Sequence, residues 1–272
     1  MGLFRYVLSR FTAGHRRLRT GAAWALFACA FVAHAEGPGG SLEANALYYD
    51  LSDGFAPTSG VNLRGRLGPV GDDEWLAELA YLDRFDDSGT FGQVGNIHQF
   101  DDRWFSQLYL ASSSGGFFWP EFRIDASISR RMLAARNLVL TAGVAYFDAK
   151  DIHSDTGYRL ETIYYTTTPW VFQAGVTYNV SEPGSVGSTS GYAAVSHVTG
   201  GKRIVSARVG AGHQAYQPLQ ADSFQVDIPF TSVRLTWKEW VGTRWGVQLA
   251  ADSYLSDVYD QHGVEVGLFR EF

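Results

Sequence analysis

Hydrophobic alternation with a period of two constrains this chain more than any other feature. Val61, Leu63, Gly65 and Leu67 alternate with Asn62, Arg64 and Arg66. Phe122, Ile124, Ala126 and Ile128 alternate with Arg123, Asp125, Ser127 and Ser129. The rhythm recurs at Phe172–Tyr178, Val205–Ala211 and Trp245–Ala251. A strand projects successive side chains to opposite faces, so each segment has one apolar and one polar face. From Ser41 onward, fourteen such segments are expected: 41–51, 58–67, 73–83, 90–99, 103–111, 117–130, 137–148, 156–166, 169–180, 188–198, 202–214, 225–239, 243–254 and 260–272. Turn chemistry separates them, as in Gly68-Pro69-Val70-Gly71, Asp86-Asp87-Ser88-Gly89, Ser114-Gly115-Gly116, Glu182-Pro183-Gly184 and Thr199-Gly200-Gly201. No linker or composition shift divides residues 36–272, which predicts one all-β domain.

An antiparallel soluble sandwich and a transmembrane barrel share this rhythm, so periodicity leaves the direction of the apolar face open. The tryptophans separate the two. In an up-and-down meander, Trp75, Trp104, Trp170 and Trp245 begin odd segments, and Trp237 and Trp240 end the twelfth. All six fall at one rim, the periplasmic one if both ends of the meander lie there. Tyr48, Tyr81, Tyr146 and Tyr178 end odd segments at the opposite rim. Tyr164 and Tyr165 at the first rim, and Trp119 at the second, make the sorting incomplete. Trp and Tyr favour a membrane interface because the ring is apolar while its N–H or O–H needs a wet partner. Two girdles separated by about ten residues are the mark of a membrane barrel. The expected fold is a transmembrane antiparallel up-and-down β-barrel of about 14 strands, with twelve as the alternative count.

The amino-terminal residues predict export. Arg5, Arg10, Arg16, Arg17 and Arg19 precede an apolar run from Gly21 to Ala33, and Ala33-His34-Ala35 fits a small-x-small cleavage site. Residues 1–35 therefore read as a cleaved signal peptide. The one cysteine, Cys29, lies within it, so the mature chain has no disulfide. Cleavage leaves 17 Lys+Arg against 28 Asp+Glu. That acidity argues against a nucleic-acid partner. No apolar run is long enough for a transmembrane helix.

The final segment, Gln261 to Phe272, places Val264, Val266, Leu268 and Phe272 on one face. A last strand of this form resembles the β-signal read by the outer-membrane assembly machinery. The partners it implies are that machinery, periplasmic chaperones, and outer-membrane lipid and lipopolysaccharide, with the chain a monomer. A wider resemblance lies in Leu140-Thr141-Ala142-Gly143-Val144-Ala145-Tyr146-Phe147, Pro169-Trp170, Gly175-Val176-Thr177-Tyr178-Asn179, Gly191-Tyr192 and Gly210-Ala211-Gly212-His213-Gln214-Ala215-Tyr216. On these Gly/aromatic patterns the chain resembles the YaiO family of outer-membrane β-barrels. The resemblance implies the outer membrane of a Gram-negative bacterium and an association with polysaccharide export. It supplies no catalytic residues.

Candidate functional residues follow from the polar face. Arg64, Arg66, Glu78, Arg123, Asp125, Arg159, Glu161, Arg208, Arg234, Lys238 and Glu265 lie out of phase with the apolar series. Inside a barrel they form either a neutralising network or a charge ladder that selects ions. Fourteen strands enclose more space than side chains fill, and the connections look too short for an internal plug. Enzymatic signals are weak. Asp86-Asp87 with Asp260 and His262 resembles the acidic and Asp-His pairs of omptin proteases. His153-Ser154-Asp155 has the residue types of a hydrolase triad, but adjacent residues cannot adopt triad geometry with one another. No metal-ligand spacing or nucleotide fingerprint is present, so no cofactor is expected. The reading is a non-enzymatic pore or export barrel. Its alternatives are an outer-membrane hydrolase and a structural barrel with a closed lumen.

Overall fold

A computed structural model describes residues 39–220 and 223–272, with side chains omitted from 217–226. The expected signal peptide and Cys29 lie outside the described residues. Fourteen strands follow in order: β1 (Gly40–Leu51), β2 (Thr58–Val70), β3 (Asp73–Arg84), β4 (Asp87–Gln99), β5 (Trp104–Gly115), β6 (Phe122–Met132), β7 (Leu138–Asp148), β8 (Ser154–Tyr165), β9 (Trp170–Glu182), β10 (Val186–Thr199), β11 (Arg203–Gln220), β12 (Ser223–Trp240), β13 (Trp245–Ser256) and β14 (Gln261–Glu271). Each pairs antiparallel with its sequence neighbours, and β1 pairs with β14 to close the barrel. The Gly40 and Phe272 backbones exchange both hydrogen bonds at 3.0 Å, fastening the seam at its end. Closure leaves no unpaired strand edge, which is what a sheet in lipid requires.

The apolar series faces outward. Val61, Val94, Leu160, Phe172, Val209, Leu235 and Leu268 are exposed, Leu160 and Leu268 at 62% and 61%. A sandwich would bury them. Across the middle of the described strands this outer series contains no charged residue. The inner face is polar and small, with Asn45, Asn62, Asp125, Ser129, Gln248 and Glu265 buried there. Several inward glycines sit where a neighbouring strand's side chain crosses them. A Cβ on Gly175 would lie 2.5 Å from the Tyr192 ring, and one on Gly263 2.1 Å from the Tyr49 ring. Such glycines let long side chains lie flat along the wall.

Several connections differ from expectation: β11 and β12 run on to Gln220 and from Ser223, past their expected ends at 214 and 225, and two others depart at the same rim. The residues expected to open the sixth strand, 117–121, instead form a loop, because β5 continues to Gly115. The β3–β4 connection is Phe85-Asp86 rather than Asp86–Gly89, with both residues left-handed at φ 53° and 59°. Left-handed backbone suits the twist of a two-residue hairpin but normally selects Asn and Gly. Phe85 accepts it because its ring is buried at 7% exposure among other aromatic rings.

Candidate functional site: the barrel lumen

Alternation carries the polar face into the lumen, where its charges pair on two stretches of the wall. The first spans β12, β13, β14, β1, β2 and β3. Glu43 receives Lys238 at 3.2 Å and Arg64 at 3.6 Å, and Arg64 also reaches Glu78 at 3.2 Å. Asn45 donates to Glu43 at 2.9 Å and to Asn62 at 2.8 Å. Arg234 donates to Asp252 at 2.8 Å and to Glu265 at 2.7 Å. Lys238 on β12 reaches Glu43 on β1 past two intervening strands, so this group braces the closing seam from inside. Arg66 and Glu74 form a separate pair at 2.6 Å.

The second group lies on the opposite half of the wall. Arg123 donates to Asp125 at 2.6 Å, and Arg159 approaches Asp125 at 3.9 Å and Glu161 at 3.1 Å. The Tyr192 hydroxyl donates to Glu161 at 2.9 Å. The Arg208 guanidinium lies over the Tyr192 ring, 3.6 Å from its centroid. The cations other than Arg208 are paired with carboxylates yet remain accessible from the lumen. Side chains of Arg64, Arg66, Arg123, Arg159 and Arg234 are 46%, 59%, 42%, 29% and 34% exposed while facing away from the lipid surface.

At the rim far from the chain ends, aromatic side chains from several connections meet. Leu51, Phe85 and Tyr259 form a buried cluster with Phe55, Phe117 and Tyr254 against it. Arg84 donates to the Tyr259 hydroxyl at 2.7 Å. The β5–β6 loop turns inward, and Trp119 stacks on Phe91 with ring centroids 4.6 Å apart. Asp87 accepts the Phe117 N–H at 2.9 Å. Lys150, from the β7–β8 connection, donates to the carbonyls of Gly115 and Gly116. Burial pulls the Lys150 ammonium below its usual pKa, opposed by the nearby charges of Asp87 and Glu121. Beside this cluster a cavity of about 700 Å³ remains, lined by Arg123, Asp155, Asn179, Ser190, Gln214 and Tyr254 among others.

The YaiO membrane beta barrel domain matches residues 40–217. The chain belongs to the YaiO membrane beta barrel family. No curated protein is significantly similar to it in sequence. Among solved structures, outer-membrane expressed OmpT of Vibrio cholerae is 9% identical, with 89% of this chain and 99% of that one covered at a TM-score of 0.51. An anion-selective porin from Comamonas acidovorans is 10% identical, with 86% and 98% covered at a TM-score of 0.51. At such identities the likeness is one of fold.

In this YaiO barrel Trp75, Trp104, Trp170, Trp237 and Trp245 lie on the outward series at the rim near the chain ends. Trp240 departs from the expected girdle. It is even-numbered like Arg234 and Lys238, so it turns to the lumen, where its ring meets Phe269 edge-on at 4.9 Å. Trp119, expected at the far rim, is folded inward against Phe91. The same loop turns inward at the mouth and leaves a cavity of about 700 Å³ beside it. The omptin-like residues are not assembled. Asp86 sits in the β3–β4 turn and Asp87 opens β4, where it holds the Phe117 N–H, while His262 lies on the outward face of β14. His153 bonds Asp151 at 2.8 Å. Glu43, Glu74 and Asp252 belong to the lumen groups but were absent from the expected set. The same alternation marks positions 43, 74 and 252 as inward.

Proposed function

We propose that this protein is a non-enzymatic conduit in the outer membrane of a Gram-negative bacterium. It passes polar solutes or an extended polysaccharide chain through a charged lumen. One observation carries this reading: Arg64, Arg66, Arg123, Arg159 and Arg234 are ion-paired in the lumen yet keep much of their side-chain surface accessible. A dry, side-chain-filled interior would bury them, and burying a charge is costly. The hydroxyl and amide groups around the far cavity suit a hydrated cargo. Lipid and lipopolysaccharide surround the barrel, the assembly machinery takes β14 as its signal, and the monomer is the working unit.

Single-channel recording in planar bilayers tests the proposal. Stepwise conductance from the purified, refolded protein is expected. A folded preparation that conducts nothing rejects it. The aromatic cluster at the far mouth then favours the second reading, a barrel closed at one end that acts as a scaffold.

A further inference from the structure

We infer that Arg208 and Tyr192 form an oxyanion-binding site on the lumen wall, where a carboxylate or phosphate group of a passing solute docks. The inference deepens the conduit reading and rests on its wet lumen. Of the seven expected lumen cations, six have a carboxylate within 4 Å: Arg64, Arg66, Arg123, Arg159, Arg234 and Lys238. Arg208 has none among the described residues, and it is exposed. Its neighbour across the β11–β12 pair is another cation, Arg234, whose guanidinium is turned away to Asp252 and Glu265. An anion beside Arg208 therefore meets no competing carboxylate on that side.

The site is held in place rather than left to a mobile side chain. Tyr192 lies across Gly175, where any side chain would strike its ring. The Glu161 carboxylate anchors its hydroxyl. Arg159 in turn occupies the other side of Glu161, so that carboxylate is already engaged from two directions. Contact with the Tyr192 ring, 3.6 Å from guanidinium carbon to ring centroid, steadies the exposed Arg208 head without using its N–H donors. A planar fork of donors matches two oxygens of a carboxylate or phosphate at once, and pre-ordering lowers the entropy lost on binding. The aromatic face also adds cation–π stabilisation that does not consume a donor.

Phenylglyoxal labelling of the folded full-length protein, read by peptide mass spectrometry, tests the site without requiring conductance. Arg208 is expected to label readily. Inorganic phosphate at about ten times its dissociation constant should slow that labelling about tenfold by mass action. Acetate as a second probe separates the two oxyanion sources. Arg203, exposed at the rim and paired with Glu239, is the internal control and should show no protection. Tyr192→Ala should weaken protection while Tyr192→Phe, which keeps the ring, should largely retain it. Equal phosphate effects at Arg208 and Arg203, or none at Arg208, overturn the site. Protection of Arg208 in a protein that conducts no current keeps the site and rejects the conduit. In a conducting protein, Arg208→Gln should move the reversal potential under a salt gradient toward cations. An unchanged potential removes its role in selection.

Discussion

At the scale of single residues, the turn between β4 and β5 shows how one side chain sets an interfacial anchor. The Asp101 carboxylate accepts the N–H groups of Arg103 at 2.6 Å and Trp104 at 2.7 Å. Those two bonds, with Arg103 the stronger influence, hold its carboxyl below the usual aspartate range. The turn lies outside the membrane-spanning segments and presents Trp104 to the rim. A carboxyl with a lowered folded pKa contributes stability that is present above its unfolded pKa and lost as pH falls through its folded value. Amide protection at Arg103 and Trp104 should therefore be high at neutral pH and fall in acid below the usual aspartate range. Asp101→Ala should show low protection throughout. Hydrogen exchange with mass spectrometry measures both, and pH-independent protection in the parent would contradict this account.

Single strands have two faces that tolerate opposite substitutions. Val176, near the middle of β9, is outward and 46% exposed. Thr177, its immediate neighbour, lines the far cavity. Arginine on a lipid-facing midplane position costs about 2–4 kcal/mol. The same side chain at 177 faces the lumen and keeps its water, opposite Arg159 across the β8–β9 pair, whose carboxylate partners Asp125 and Glu161 offset the like charge. Val176→Arg should thus lower the folded fraction and the denaturant midpoint, while Thr177→Arg should leave both near the parent. Refolding into lipid vesicles, followed by heat-modifiable gel mobility, separates the outcomes. Similar losses for both would mean that the interior is not wet at that level.

For the molecule as a whole, the far mouth matters most. The aromatic cluster is assembled by connections from both sides of the closing seam, and Lys150 holds the infolded β5–β6 loop by its Gly115 and Gly116 carbonyls. Lys150→Met removes those donors without adding bulk. Chymotrypsin added to the folded protein should then cleave faster within 117–119, and conductance, where measured, should rise with little change in selectivity. Phe55→Ala should widen the same mouth by removing a ring that touches both Phe85 and Tyr259. Cleavage at the parental rate in Lys150→Met would show that the loop is held by its ring contacts alone.

The sequence by itself determined which side chains share a face and a count of about fourteen strands, because a period of two is a local property of the backbone, and its Trp and Tyr girdles pointed to the barrel. It also located Arg64, Arg123, Arg159, Arg208 and Arg234 on the face opposite the apolar series, and the YaiO family likeness was legible in Gly/aromatic patterns along β7 to β11. Only the tertiary structure decided which carboxylate each arginine meets. Lys238 reaches Glu43 past two strands, and Arg234 serves Asp252 and Glu265 on successive neighbours. Such partners depend on register and wall curvature, which no local pattern encodes. The same holds for Arg208, distinguished by the carboxylate it lacks. Trp240 and Trp119 turned inward because rings on other strands, Phe269 and Phe91, were waiting there. The Phe85 turn follows the same physics: burial among distant rings outweighed the local preference for Asn or Gly, and that contest is settled only once the barrel has closed.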